Sequence, residues 1–311
     1  MTSTRVHLGL LGGAVISIGG QQTPAKGRPA QRRRLALLAL LAATPRHRMT
    51  RERVIAYLWP DADSDTGRRN LSEALHVIRR ELGEDTLISV GDEIDLDPAV
   101  VGSDVSDFRA AAETGDLERA ASLYTGAFLD GWFVPECAEL EEWAEQQRQS
   151  LKAVYAGILQ KLAERAEDKG EWTTAVHHWR ARASLDPDAG GPVARLANAL
   201  APTGDRVGAL KAVRGHVTRL RDEGMTVDRP MLGLEERLLQ QETGWTPPAP
   251  RLVQAVVDQP LAAASAIPVL PSRARRRSAA LLLAGAAIGV AILFVASLLG
   301  RGGRGAGLEP G

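Results

Sequence analysis

The feature that most constrains this chain is a helix ending at Leu82 whose two sides are chemically opposite. On a helical wheel Leu75, Ile78 and Leu82 fall within about 40° of Leu71, making one apolar face that anchors the helix to a core. The other side carries Arg69, Glu73, His76 and Arg80, flanked by Ser72 and Arg79. Such a set can donate to guanine edges, accept from cytosine and grip phosphate. Asp65 or Thr66 is placed to cap its start. Polar helix faces are ordinarily just solvated, and Glu73 can also pair with Arg69 or His76 across one turn.

The flanking segments favour the sharper reading. Gln31 to Ala43 (QRRRLALLALLAA) predicts a strongly apolar helix entered through Arg32, Arg33 and Arg34. Thr50 to Leu58 predicts a second helix, capped by Thr50 and stopped by Trp59 and Pro60. From Lys26 to Arg53 there are nine Lys or Arg and a single acidic residue, Glu52. The whole chain balances 38 basic against 38 acidic residues, so this positive charge is local and suits a polyanion.

Leu87 to Leu96 (LISVGDEIDL) alternates on both sides of Gly91 and Asp92, a hairpin signature. Ahead of the helices, Arg5 to Leu11 and Ala14 to Ile18 are two strand-like runs joined at Gly12 and Gly13. Strand, strand, three helices, hairpin is the order of a winged helix.

Residues 103 to about 244 become Ala-, Leu- and Glu-rich with helical periodicity. A pattern of Gly, acidic, three residues, Ala recurs at Gly115-Asp116 with Ala120, Gly170-Glu171 with Ala175, and Gly204-Asp205 with Ala209. The last two copies are 34 residues apart, the tetratricopeptide period, while the first lies 55 residues before the second. The longer spacing predicts a long helix over 138–167. Gly would break each helical hairpin, the Ala would let its helices approach, and Leu185-Asp186-Pro187 would close one repeat. Trp132, Trp143, Trp172 and Trp179 read as core residues of this stack.

RVHLGLLGGAVISIGG, RRRLALLALLA, TRERVIAYLWPD, RRNLSEALHVIRRELG and the hairpin ending in DLDP together resemble the OmpR/PhoB-type winged-helix domain at the N-terminus of SARP-type activators. SDVSDF, GDLERAASLYTGAFLDGW, ELEEWAEQQRQSL and EWTTAVHHWRARASLDP resemble the bacterial transcriptional activator domain that follows it in that family. The two resemblances occur in the family's order and cover roughly residues 5–242. They imply that the third helix enters the major groove of double-stranded DNA and the hairpin wing approaches the minor groove. Arg68, Arg69, Ser72, Glu73, His76, Arg79 and Arg80 are the positions carried over as DNA-facing. For the repeat domain they imply protein contact, through self-association or RNA polymerase. One departure stands out: the wing tip Gly91, Asp92, Glu93, with Asp95 close behind, offers no Lys or Arg to a phosphate.

Beyond Trp245 the chain turns Pro- and Ala-rich, a linker. Ser278 to Gly300 then runs 23 residues without a charge, enough to span ~30 Å of hydrocarbon as a helix. Arg273, Arg275, Arg276 and Arg277 before it, against Arg301 and Arg304 beyond, orient the preceding domains to the cytoplasm of a bacterial cell. Gly285 and Gly289 form a GxxxG pair able to pack two such helices into a homodimer. Eleven residues follow Gly300, too few for a folded sensor across the membrane.

No Walker-type loop, nucleophile elbow or metal-ligand spacing occurs, so no catalytic residue, cofactor or metal is expected. The adjacent His177 and His178 point in different directions on a helix. A lone Cys137 excludes an intramolecular disulfide, fits a reducing compartment, and reads as a small packing residue.

The expected architecture is therefore α+β, then all-α. A winged helix-turn-helix (1–101) precedes a tetratricopeptide-like α-helical repeat domain (102–245), a linker with a basic end (246–277), one transmembrane helix (278–300) and a short tail (301–311). The soluble units, about 100 and 140 residues, are each long enough for their own core. The expected function is a membrane-anchored transcriptional regulator. The alternative is a membrane-tethered interaction scaffold whose winged helix no longer binds DNA.

Overall fold

The structure, a computed structural model, describes residues 6–24 and 29–240. The linker, the basic cluster, the uncharged run with Gly285 and Gly289, and the tail lie outside the described residues. Among the described residues no helix is long and apolar enough to cross a membrane.

The N-terminal strands β1 (Val6–Gly9) and β2 (Val15–Ile18) form the expected antiparallel hairpin across the positive-φ turn at Gly12 and Gly13. Two strands that the sequence did not announce complete the sheet: β3 (Gln21–Pro24) pairs with β2, and β7 (Val101–Ser103) runs parallel to β1. Next come helices α1 (Pro29–Ala43), α2 (Arg51–Leu58) and α3 (Ser64–Leu82). From Leu35 to Ala43 every residue of α1 is buried, which explains its near-continuous Leu and Ala run. The hairpin β5 (Leu87–Val90) and β6 (Glu93–Leu96) is joined by β4 (Arg48–Thr50) in a sheet ordered β4-β6-β5.

The rest of the described chain is helical: α4 (Asp104–Thr114), α5 (Leu117–Leu123), α6 (Ala138–Asp168), α7 (Trp172–Leu185), α8 (Gly190–Leu200), α9 (Arg206–Asp222) and α10 (Arg229–Gln240). Gly115, Gly170 and Gly204 all take positive φ at the joints α4/α5, α6/α7 and α8/α9, where glycine carries no Cβ penalty. Asp116 and Asp205 cap the following helices through their carboxylates, whereas Glu171, one methylene longer, makes no side-chain cap. Ala120, Ala175 and Ala209 are fully buried. The regular 34-residue spacing holds only for the last two joints, because α5 is short and an irregular stretch from 124 to 137 precedes the 31-residue α6.

The cores do not divide at residue 101. One apolar cluster runs from Val6 and Leu8 through α1–α3 to Phe108, Phe128, Trp143 and Leu162. A second begins at Ala163 and takes in Trp179, Leu196, Val213 and Leu234. The boundary falls inside α6, which at about 46 Å is long enough to serve both clusters. Trp143 and Trp179 are buried as expected, Trp132 and Trp172 only partly. Buried Cys137 donates its thiol to the Leu58 carbonyl, and burial raises its pKa, as suits a packing residue. The rings of His177 and His178 do not diverge: they meet edge to face with centroids 5.3 Å apart.

The joint between the two halves is densely bonded. Asp104 at the start of α4 accepts from the backbone N–H groups of Leu10 and Leu11. Ser106 and Arg109 donate to the Ala42 and Ala43 carbonyls at the end of α1, satisfying groups a helix C-terminus leaves open. The 124–137 stretch returns to the first hairpin through Leu129 N–H to Leu10 O and Gly12 N–H to Ala127 O.

Candidate nucleic-acid interface

Helix α3 begins two or three residues earlier than the sequence suggested. Asp63, rather than Asp65 or Thr66, is its N-cap: one carboxylate oxygen accepts from the N–H of Asp65 and Thr66 at 3.0 and 2.9 Å, and the other from the Thr66 hydroxyl. These bonds, the Thr66 N–H foremost, lower the Asp63 pKa. Leu71, Leu75, Ile78 and Leu82 are buried together with Gly67 and Ala74. Gly67 sits where α3 crosses α2, and a β-carbon there would lie 2.7 Å from Cγ2 of Ile55. The sequence reading passed over Gly67, although a glycine in the apolar face of a helix marks a close approach.

Of the seven carried-over positions, Arg68, Arg69, Ser72, Glu73, His76 and Arg80 are exposed on the outer side of α3. Arg68 stands 3.6 Å from Asp65, Arg80 3.3 Å from Glu81, and the Ser72 hydroxyl donates to the Arg68 carbonyl. The side chains of Arg69, Glu73 and His76 have no hydrogen bond or ion pair among the described residues. The alternative pairing of Glu73 with Arg69 or His76 is therefore absent there. Glu73 instead lines a shallow pocket with Arg33, Arg34 and Asn70, at the edge of the stripe nearest α1.

Arg79, the seventh position, is set differently from the other six. It is half-buried, and its guanidinium is engaged with the wing, donating through Nε to the Leu87 carbonyl and through Nη2 to Ser89 Oγ, both at 2.9 Å. The wing itself is less acidic than its sequence. Arg48, brought alongside by β4, donates to Glu93 at 3.0 Å and Asp95 at 2.6 Å, and these partners, Asp95 first, raise its pKa. Arg51 reaches Ser89 Oγ at 3.0 Å from the start of α2. The basic residues missing from the hairpin thus arrive from another part of the chain. The outer face of β5 carries Ile88 and Val90, 46% and 55% exposed.

Two arginines in the first turns of α1 bond to the fold. Arg32 donates to the Phe133 carbonyl and lies over its ring, and Arg33 donates to the Leu58 carbonyl with Glu136 3.8 Å away. These two side chains are engaged at the joint. Among the described residues no group of three or more His, Cys, Asp or Glu is placed to hold a metal.

Comparison with known proteins agrees with this architecture. Residues 96–239 match the family model described as Bacterial transcriptional activator domain. No curated protein matches the chain. A solved structure of Mycobacterium tuberculosis EmbR in complex with a low affinity phosphopeptide superimposes with a TM-score of 0.55 at 21% identity, covering 78% of this chain. The chain spans 66% of that one, just under two thirds of its length. Residues 96–239 are thus similar to bacterial transcriptional activator domains, and the chain shares its fold with EmbR.

Proposed function

We propose that this chain is a DNA-binding transcriptional regulator of the SARP type that reads the major groove with α3. The observation that carries the reading is the exposed line Arg69, His76 and Arg80, on a helix whose opposite face is locked into a core. Arginine and histidine on that line are donors suited to guanine edges, and Glu73 beside them is an acceptor suited to cytosine. Support also comes from the match of residues 96–239, which suits a role in contacting RNA polymerase or a second copy of the chain. The uncharged run 278–300 would hold the protein at the bacterial cytoplasmic membrane with both domains in the cytoplasm, Gly285 and Gly289 favouring a dimer. Selection of duplexes from a random pool by the full chain in detergent micelles tests this. Enrichment of one motif is expected; a pool that stays random contradicts sequence-specific binding.

A second reading, the membrane-tethered scaffold, draws on one observation: the wing presents Ile88, Val90 and Asp92, which has no ion pair among the described residues, a surface better suited to protein than to phosphate. It requires that the selection fail while Ile88→Ser with Val90→Ser still disrupts a protein complex.

A further inference from the structure

Ser89 Oγ accepts from two guanidiniums at once, Arg51 at 3.0 Å and Arg79 at 2.9 Å. One comes from the first residue of α2, the other from the last turn of α3, and they meet at Ser89 of the wing. Their terminal nitrogens are held within about 6 Å of each other, where like charges repel. Among the described residues neither arginine has a carboxylate within ion-pair distance. This contrasts with Arg48 on the neighbouring strand, which is paired to two. Two converging guanidiniums sharing one neutral hydroxyl are short of an anion, and a phosphate oxygen is the acceptor that two such forks fit best.

The position suits a strand of DNA running beside α3. Arg51 also lines an open cleft of about 420 Å³ with Arg68 and Ser72, on the wing side of the exposed stripe. Glu52 and Asp92 stand on the walls of the same cleft. Resting on the DNA-binding reading above, we infer that Arg51, Ser89 and Arg79 form a clamp for a single backbone phosphate, replacing the basic wing tip that this chain lacks. Arg79 then acts on the sugar-phosphate strand and carries no base information, whereas Arg69 and Arg80 face the groove.

Salt dependence separates the clamp from a structural role, because each lost phosphate contact lowers the slope of log affinity against log salt by about 0.9. The full chain, a mixed-sequence 30-bp duplex and a salt titration suffice. Arg51→Gln and Ser89→Asp, the latter supplying an internal anion at an exposed position, should each flatten the slope by about one contact, with Arg51→Lys retaining it. Slopes equal to the parent in both variants would overturn the clamp while leaving DNA binding intact. Absence of duplex binding by the parent chain would overturn the DNA-binding reading and the clamp with it.

Discussion

Gly67 lies so close to Ile55 that an added β-carbon would stand 2.7 Å from Cγ2. That contact sets how α3 crosses α2, and therefore how the exposed stripe is presented. Gly67→Ala gains about 1 kcal/mol of helix propensity. It also forces a β-branched neighbour with one favoured rotamer to move, at about 1–3 kcal/mol. A net loss of about 1 kcal/mol is expected in urea unfolding, with Ile55→Ala in the same chain relieving it. If the two substitutions simply add, the close contact does not set the crossing.

Asp104 ties α4 to the first hairpin by accepting from Leu10 and Leu11. Asp104→Ala leaves two buried donors unpaired and should cost about 2–4 kcal/mol. Burial is the largest influence on this carboxyl and raises its pKa against the Leu11 and Leu10 donors that lower it. The folded chain therefore binds this proton more tightly than the unfolded chain. Its contribution to stability falls as pH rises from the ordinary aspartate range through the raised folded value. The stability difference between parent and Asp104→Asn should shrink over that window; a difference that grows with pH contradicts the assignment.

Trp179 donates its indole N–H to Glu167 Oε1 at 2.6 Å, while Arg195 donates to the other oxygen and lies 5.0 Å over the indole ring. Glu167→Ala leaves that N–H inside the second core without an acceptor, a loss of about 1–3 kcal/mol. Glu167→Gln keeps an acceptor and should lose less. Thermal unfolding followed by tryptophan emission distinguishes the pair, and equal losses would show that the indole bond contributes nothing.

What was legible in the sequence was what is local. The apolar faces of α1 and α3, the Thr50 cap, the Gly91-Asp92 turn and the three Gly-acidic-Ala joints are patterns within a few residues, and each stands in the structure. The parts missed depend on distant partners. β7 pairs with β1 from the other end of the first domain, and three residues are too few to announce a strand. Arg48 and Arg51 precede the wing by some forty positions, so no reading of the hairpin alone finds them. Arg32 and Arg33 looked like a polyanion site because their acceptors, the Phe133 and Leu58 carbonyls, are backbone atoms that leave no mark in composition.

The most direct test of the central claim is the affinity of the full chain for the duplex recovered by selection, measured by fluorescence anisotropy in the parent and in Arg69→Glu with Arg80→Glu. Both side chains are exposed, so the fold should survive. Loss of two groove contacts predicts a fall in affinity of at least about 30-fold. Binding equal to that of the parent would show that the exposed stripe of α3 is not the surface that reads DNA.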